Sequence, residues 1–124
     1  MSQDKELLKR LALAEARGEG VLGQALVIRS VLNRQAAIKN GANFNTRSTN
    51  IRDIIYAKDQ YQPTTDSRNS IDQTFSKSQL DRAENAYQLA LNPTQLQSRL
   101  ESNGVSSTNA RNLVLSTGFD ALGG

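Results

Sequence analysis

Two long helical hydrophobic patterns, separated by a short glycine-rich segment, constrain this 124-residue chain more than any other feature. Apolar residues recur at helical spacing from about residue 3 or 4 to 17, and again from about 21 to 39. Gly18 and Gly20 end the first pattern, and Asn40-Gly41 ends the second as is typical of a helix C-terminus. The second helix is apolar over a wide face, which predicts a central helix covered on more than one side.

The amino end of the first helix carries Asp4, which is expected to cap it. The apolar positions expected to face the core are Leu7, Leu8, Leu11 and Ala14 in the first helix and Val21, Leu22, Ala25, Leu26, Ile28, Val31 and Leu32 in the second. After them, residues 42–50 are polar and indicate a loop, and residues 51–57 predict a short helix. Residues 58–75 carry almost no periodic apolar residues. A loop near 18 residues is uncommon in a compact domain and is more often a binding loop or lid.

Helical patterns return at Ser76-Lys77-Ser78-Gln79, which matches a capping box. The apolar positions of the helix that follows are Leu80, Ala83, Tyr87, Ala90 and Leu91. Asn92-Pro93 ends it and begins a shorter helix over about 94–102, and residues 110–115 fit either a last helical turn or a short strand. The predicted fold class is therefore mainly α, with room for a minor β element, in a single domain over residues 1–124.

Composition excludes several classes of chemistry, because the chain has no His and no Cys. Ser-His-Asp and Cys-His nucleophiles, His-ligated zinc, thiolate clusters and disulfides are all ruled out. No calcium-loop motif is present either, so we expect no metal and no cofactor. Carboxylates, Lys, Tyr and hydroxyl groups remain for any chemistry.

The formal net charge of +3 comes from 15 basic and 12 acidic residues, spread along the chain without a dense basic block. A basic nucleic-acid module is therefore disfavoured, and it would reveal itself by salt-dependent retention on DNA. No apolar run approaches the roughly 20 residues that a membrane span needs, and the start Met1-Ser2-Gln3-Asp4 opens no signal peptide. We expect neither nucleic acid nor membrane insertion.

Glu15 is the strongest candidate for chemistry, because helical spacing aligns it with Leu8, Leu11 and Ala12 on the apolar side of the first helix. Taking a carboxylate out of water is costly, and the usual relief is a raised pKa that keeps the proton on near neutrality. A carboxyl group held in that state can act as a general acid.

Three glycines within residues 18–23 let the backbone turn sharply beside Glu15 and come close to a ligand. A polar cleft at this corner follows naturally. The alternative is a plain helix-glycine-helix corner with surface charges, in which Glu15 lies at the edge of the apolar stripe and pairs with Arg17 or Arg34. Local sequence alone does not separate the two interpretations.

Several separated segments share their order and approximate spacing with one protein family. They are Glu15-Ala16-Arg17-Gly18-Glu19, Gly23-Gln24, Val31-Leu32-Asn33-Arg34, Ile51-x-Asp53-x-Ile55-Tyr56 and Gln60-Tyr61. Together they resemble the cell-wall hydrolase family that includes the spore-cortex-lytic enzyme SleB. The resemblance is strongest over residues 8–62, and residues 83–91 are similar to the family's later Ala-rich helix.

The resemblance implies a small lysozyme-like or lytic-transglycosylase-like domain that cleaves the glycan strands of bacterial peptidoglycan. Glu15 matches the family's catalytic position and would be the general acid, and Glu19 matches the second motif glutamate, which would orient the site or bind sugar. The other positions expected to bind substrate are Gln24, Tyr56, Gln60 and Tyr61. Tyr56 is equally suited to the core, and Asn33 and Arg34 are expected to tie the central helix to a loop or to Glu19.

Two chemical routes are open to such a site. A hydrolase needs a second carboxylate, about 5 to 9.5 Å from the acid, and Glu19 or Asp53 is available for that role. In a lytic transglycosylase the sugar's own C6 hydroxyl attacks the anomeric carbon, and Glu15 acts first as acid and then as base. The second route is favoured, because no second carboxylate has a comparable sequence signature.

The chain departs from the family at Gln62-Pro63, where many members carry further aromatic residues, and at residues 119–124, where a Gly-Ala-x-x-Phe-like segment is expected. We therefore expect a compact variant or a truncated C-terminus. Secreted members of the family carry signal peptides, and the start of this sequence does not resemble one. We therefore expect a phage-encoded enzyme of the virion tail, or one that reaches the host cell wall or periplasm after delivery. Its protein partners would be phage tail or baseplate proteins. The alternative from another class is a non-catalytic helical structural or adaptor subunit of a phage tail or baseplate.

Overall fold

The computed structural model describes residues 2–57 and 71–118, which form helices and contain no strand. The α-helices are α1 (Ser2–Ala16), α2 (Gly20–Lys39), α3 (Ile51–Tyr56), α4 (Lys77–Ala90), α5 (Pro93–Ser102) and α6 (Ser107–Leu115), and a 3₁₀ turn over Arg17–Glu19 joins α1 to α2. The mainly helical class is confirmed. The segment at 110–115, which fitted a helical turn or a strand, lies in α6, so the minor β element is absent from these residues.

Helix α2 is the centre of the fold and packs against α1, α3, α4, α5 and α6. Its inward side chains are fully buried, among them Ala25, Val27, Ile28 and Val31. One main hydrophobic cluster joins all six helices into a small single domain. Burying each large aliphatic side chain contributes about 1.5 to 3 kcal/mol, so this shared core is the main source of stability. Across the described ranges, no helix combines the length and apolarity needed to cross a lipid bilayer.

Local sequence determines where most of the helices begin and end. Ser76 forms the predicted capping box with Gln79, in which each side chain bonds the other residue's backbone N–H. The side chains that accept hydrogen bonds from the first turns of α3, α5 and α6 are those of Asn50, Asn92 and Ser106. Each cap of this kind contributes about 1 kcal/mol. Gly41 and Gly104 follow α2 and α5 with φ of +99° and +93°, as expected of glycines at helix ends.

Two predictions about individual positions in the helices are wrong. Helix α1 begins at Ser2, so Asp4 lies within the first turn, where it complements the helix dipole, and does not cap the helix. Leu91 follows the last residue of α4 and is 49% exposed, while Ala86 and Leu89 take inward positions. Both errors arise because hydrophobic spacing gives the orientation of a helix more accurately than its ends.

Ion pairs centred on Glu84 join the outer surfaces of α1 and α4. Its carboxylate lies 2.8 Å from Lys5 Nζ and 3.4 Å from Lys9 Nζ, and it accepts a hydrogen bond from Gln88 Nε2. Hydrogen bonds from Lys5 and Gln88 lower the pKa of Glu84 to about 2. The folded protein therefore holds this carboxylate ionised in conditions where an unfolded chain would protonate it.

We expect Glu84→Gln to lower the free energy of unfolding more at neutral pH than in acid. Because the pKa of Glu84 is lower in the folded state, its stabilising effect is fully present above about pH 4.5 and is lost as the pH falls toward about 2. Urea denaturation at about pH 7 and about pH 3 measures this difference. The matched control is Glu101→Gln on the exposed face of α5, where the carboxylate accepts a hydrogen bond from Gln97. An identical loss of stability at both pH values would contradict the assignment.

Candidate functional site

Glu15 lies in the last turn of α1, one residue before the helix ends at Ala16. Leu11 and Ala12, one turn earlier, are fully buried, and Ala16 is almost so, whereas Glu15 itself is partly buried. The side chain therefore lies at the margin between the apolar face of α1 and solvent. A carboxyl group at such a margin can reach a ligand while part of its surroundings excludes water.

The chain turns sharply between α1 and α2. After the 3₁₀ turn, Gly20 has φ of +73°, a conformation that side chains with a Cβ rarely adopt, so glycine is required there. Glu19 stands just before α2, at its N-cap position, but its side chain makes no capping hydrogen bond. Glu15, Glu19 and the first turns of α2 are thus brought together at one corner of the helix pair, which we call the α1–α2 corner.

The Glu19 side chain lies against the backbone of Gly23, one turn further along. A Cβ on residue 23 would lie 2.6 Å from Glu19 Cβ and 2.7 Å from Glu19 Oε2. These separations are far shorter than van der Waals contact, so the glycine makes room for the Glu19 side chain. Glu19 remains exposed to solvent and can meet a ligand at the α1–α2 corner.

We expect Gly23→Ala to destabilise the protein by about 1 to 3 kcal/mol, because the new methyl group overlaps Glu19. A loss of stability would be informative, because replacing glycine with alanine inside a helix normally stabilises a protein by about 1 kcal/mol. Gly18→Ala is the matched control, because a Cβ at Gly18 would meet nothing within 4 Å. Thermal denaturation of both variants checks this prediction, and a stabilised Gly23→Ala protein would contradict it.

Gln24 follows directly and is 3% exposed. Its Oε1 atom is fully buried and accepts no hydrogen bond from any residue that the structure describes. Such an orphaned acceptor costs about 1 to 3 kcal/mol and calls for an explanation. A donor outside the described residues would satisfy it, and the role of Gln24 in binding substrate stays a prediction.

Tyr56, at the end of α3, is partly buried and packs against the main core. Burial raises the pKa of its phenol, the negative charge of Asp72 raises it further, and the positive charge of Arg52 opposes them. The Arg52 guanidinium carbon lies 4.9 Å from the centre of the Tyr56 ring. The ring of Tyr56 therefore packs against the core, and its role in binding substrate stays a prediction.

The segment around Asp72 is held in place by Arg10 of α1. Arg10 Nη1 donates hydrogen bonds to the backbone oxygens of Gln73, at 2.9 Å, and Ile71, at 3.5 Å. Phe75 packs with Leu13 and Ala83 in a second small cluster, which fixes the same segment to α1 and α4. Sequence reasoning missed this arrangement. No local signal could reveal it, because Arg10 and Gln73 lie 63 positions apart.

Asp53, a candidate second carboxylate, is engaged elsewhere. Its Oδ2 accepts a hydrogen bond of 2.7 Å from Ser48 Oγ, and the residue lies exposed in the first turn of α3. This contact holds the residues just before α3 against its first turn. Gln60 and Tyr61, the remaining predicted substrate-binding residues, lie outside the described residues, as do most of the predicted lid and the chain after residue 118.

Asn33 and Arg34 tie α2 to the carboxyl end of α6 and the residues just after it. Asn33 Nδ2 donates to the backbone oxygens of Val114 and Ser116, both at 2.8 Å. Arg34 donates to the Thr117 oxygen and is 7% exposed. Its guanidinium also stacks 5.1 Å from the centre of the Phe44 ring. The Arg17 side chain, the other ion-pair partner considered for Glu15, lies outside the described structure.

Arg29, one turn earlier on α2, extends the same arrangement. Its Nε donates to Asn33 Oδ1 at 3.1 Å and its Nη1 to the Ala90 oxygen, at the end of α4, at 2.9 Å. We call Arg29, Asn33 and Arg34 the α2 clamp. It holds the carboxyl ends of α4 and α6 against the central helix, and its role in the described contacts is structural.

Comparison with protein-family models, with curated proteins and with solved structures finds no match for this chain. The fold and the α1–α2 corner can nevertheless be described by their physical features. The chain is a small, mainly helical single domain, with a partly buried glutamate beside a glycine-dependent turn and an unsatisfied buried amide oxygen one turn into the next helix.

Proposed function

We propose that this protein cleaves the glycan strands of bacterial peptidoglycan as a lytic transglycosylase, with a lysozyme-like arrangement of its helices. The observation that carries the proposal is the position of Glu15, partly buried at the end of α1 between a fully buried helical face and a sharp turn. The resemblance of residues 8–62 to cell-wall hydrolases of the spore-cortex-lytic type supports the same residue independently.

In the proposed reaction Glu15 donates its proton to the glycosidic oxygen as the bond to the anomeric carbon breaks. The C6 hydroxyl of the same sugar then attacks the anomeric carbon and gives its proton to the Glu15 carboxylate. The products are a strand with a free hydroxyl and a strand with a 1,6-anhydro end. Glu15 is restored in its acidic form, so no water and no second carboxylate are consumed.

Two features of the carboxylates favour this route over hydrolysis. Hydrolysis needs a second carboxylate close to the acid, as nucleophile or base. Glu19 is exposed and lies against Gly23, while Asp53 accepts a hydrogen bond from Ser48. Neither has the burial that distinguishes Glu15, so Glu19 is assigned to binding sugar or orienting the site.

Substrate binding is assigned to polar groups that could contact sugar. The buried Gln24 oxygen would accept a hydrogen bond from a sugar hydroxyl or acetamido N–H, and the protonated Tyr56 hydroxyl would donate one. Gln60 and Tyr61 complete the proposed set on the strength of the family resemblance. We also propose that the enzyme is phage-encoded and acts from the virion tail or after delivery to the host wall.

Digestion of purified peptidoglycan, followed by mass spectrometry of the released muropeptides, tests the proposal. We expect products with 1,6-anhydro ends. Products with reducing ends would assign a hydrolase to the same site. No release from a folded protein would contradict the enzymatic proposal and favour a non-catalytic subunit of a phage tail or baseplate.

A further inference from the structure

A second polar groove lies between the first turn of α2, the second half of α4 and α5. It encloses a cavity of about 330 Å³ lined by Val21, Asn85, Gln88, Leu89, Gln95 and Arg99. Leu89 is 5% exposed and Val21 is partly buried, so these two form an aliphatic floor. The side chains of the other four are exposed and polar. The volume is at the small end of the range for ligand pockets, about 300 to 1,000 Å³.

Arg99 supplies the only positive charge among these lining residues. Its guanidinium makes no ion pair with any residue in the described ranges, and it is exposed on α5. A planar guanidinium can donate two parallel hydrogen bonds to a carboxylate or a phosphate. The groove therefore holds an uncompensated cation suited to an anionic group.

The amide side chains favour a peptide carboxylate over a phosphate. Gln88 Nε2 already donates to Glu84 Oε2 at 2.8 Å, so Gln88 presents its acceptor oxygen to other ligands. That oxygen gives no donor to a phosphate, whose oxygens need donors, but it can accept a hydrogen bond from an N–H group. A peptide end brings a carboxylate for Arg99, an N–H for the Gln88 oxygen and a carbonyl for the amide groups of Asn85 or Gln95.

We propose that this groove binds the free carboxyl end of a short peptide, with Arg99 on the carboxylate and small side chains against Val21 and Leu89. The choice of source rests on the proposed function, because the stem peptides of peptidoglycan end in such a carboxylate on alanine. Val21 follows Glu15 by six residues, which span at most about 22 Å. Glu15 and the α2 end of the groove are therefore neighbours along the chain, which makes a stem peptide the source to test first.

Binding is tested by NMR titration with N-acetyl-D-alanyl-D-alanine, using its C-terminal amide and its L-enantiomer as comparison ligands. We expect the acid to shift the side-chain amide signals of Asn85, Gln88 and Gln95. Loss of one charge-assisted contact predicts binding about tenfold weaker for the C-terminal amide and for Arg99→Ala. Arg111→Ala removes an exposed arginine from α6 and is the matched control, with unchanged binding expected.

Three results would overturn the inference: no shifts at millimolar acid, equal binding of acid and amide, or equal losses in Arg99→Ala and Arg111→Ala. Equal or better binding of the L-enantiomer would indicate that the ligand is an ordinary protein C-terminus. That result would overturn the assignment of the stem peptide as the ligand. Glu15→Gln should bind the peptide as the wild type does. Peptide binding without glycan cleavage would therefore reject only the proposed function, and cleavage without peptide binding only this inference.

Discussion

Replacing Glu15 with glutamine is expected to lower peptidoglycan cleavage by about 100- to 10,000-fold, the usual contribution of general acid catalysis. Glutamine keeps the shape and most of the hydrogen bonding of the side chain but has no proton to transfer. The residue is partly buried at the end of α1, so the exchange should leave the packing of Leu11 and Ala12 intact. Muropeptide release, measured together with thermal denaturation, separates lost chemistry from lost folding.

Two further variants make the Glu15 result specific. Glu19→Gln should reduce cleavage less than Glu15→Gln, because Glu19 is assigned to binding and not to proton transfer. Glu101→Gln, on the exposed face of α5, should cleave at the wild-type rate. A folded Glu15→Gln protein with full lytic activity would remove Glu15 from the proposed mechanism, and with it the reason for assigning an enzyme.

Asn33→Asp is expected to lower the free energy of unfolding substantially. The Nδ2 group donates to the oxygens of Val114 and Ser116, and an aspartate in the same position would face both carbonyls with an acceptor. Two lost hydrogen bonds and the repulsion that replaces them amount to about 3 kcal/mol, reduced to some extent by a stronger contact with Arg29. The melting temperature should fall on the order of 10 °C.

Asn112→Asp is the matched control, since it makes the same chemical change at an exposed position of α6. Chemical denaturation of the two variants should show a loss of stability at position 33 and almost none at position 112. Comparable stabilities for the two variants would mean that the α2 clamp is not a significant source of stability.

Much of the fold could be predicted from local sequence, because caps, glycines and helical spacing act over only a few residues. The capping box at Ser76, the caps at Asn92 and Ser106 and the wide apolar face of α2 all have such local causes. The exceptions are instructive. Leu91 fits the helical spacing of α4, yet it lies where that helix ends and is 49% exposed, because neighbouring helices and not spacing decide burial at a helix end.

Some features of the candidate site could likewise be predicted from local sequence, and others could not. Glu15 and the glycine corner are readable from sequence, since a helix places residues three and four apart on one face and only glycine accepts the backbone of Gly20. The orphaned oxygen of Gln24, the charge of Asp72 near Tyr56 and the contact between Arg10 and Gln73 are not readable. Each depends on residues that are distant in the chain and meet only after the helices pack.

By itself, the sequence determined the helical class, the position of the central helix and the residue expected to carry chemistry, because those properties follow from periodicity and local backbone preference. Only the tertiary structure decided what Asn33 and Arg34 hold, since their partners at Val114, Ser116 and Thr117 lie more than 80 residues away. It also decided that Gln88 and Arg99 share a groove with Val21. Contacts between distant residues depend on how helices pack, and no local pattern records them.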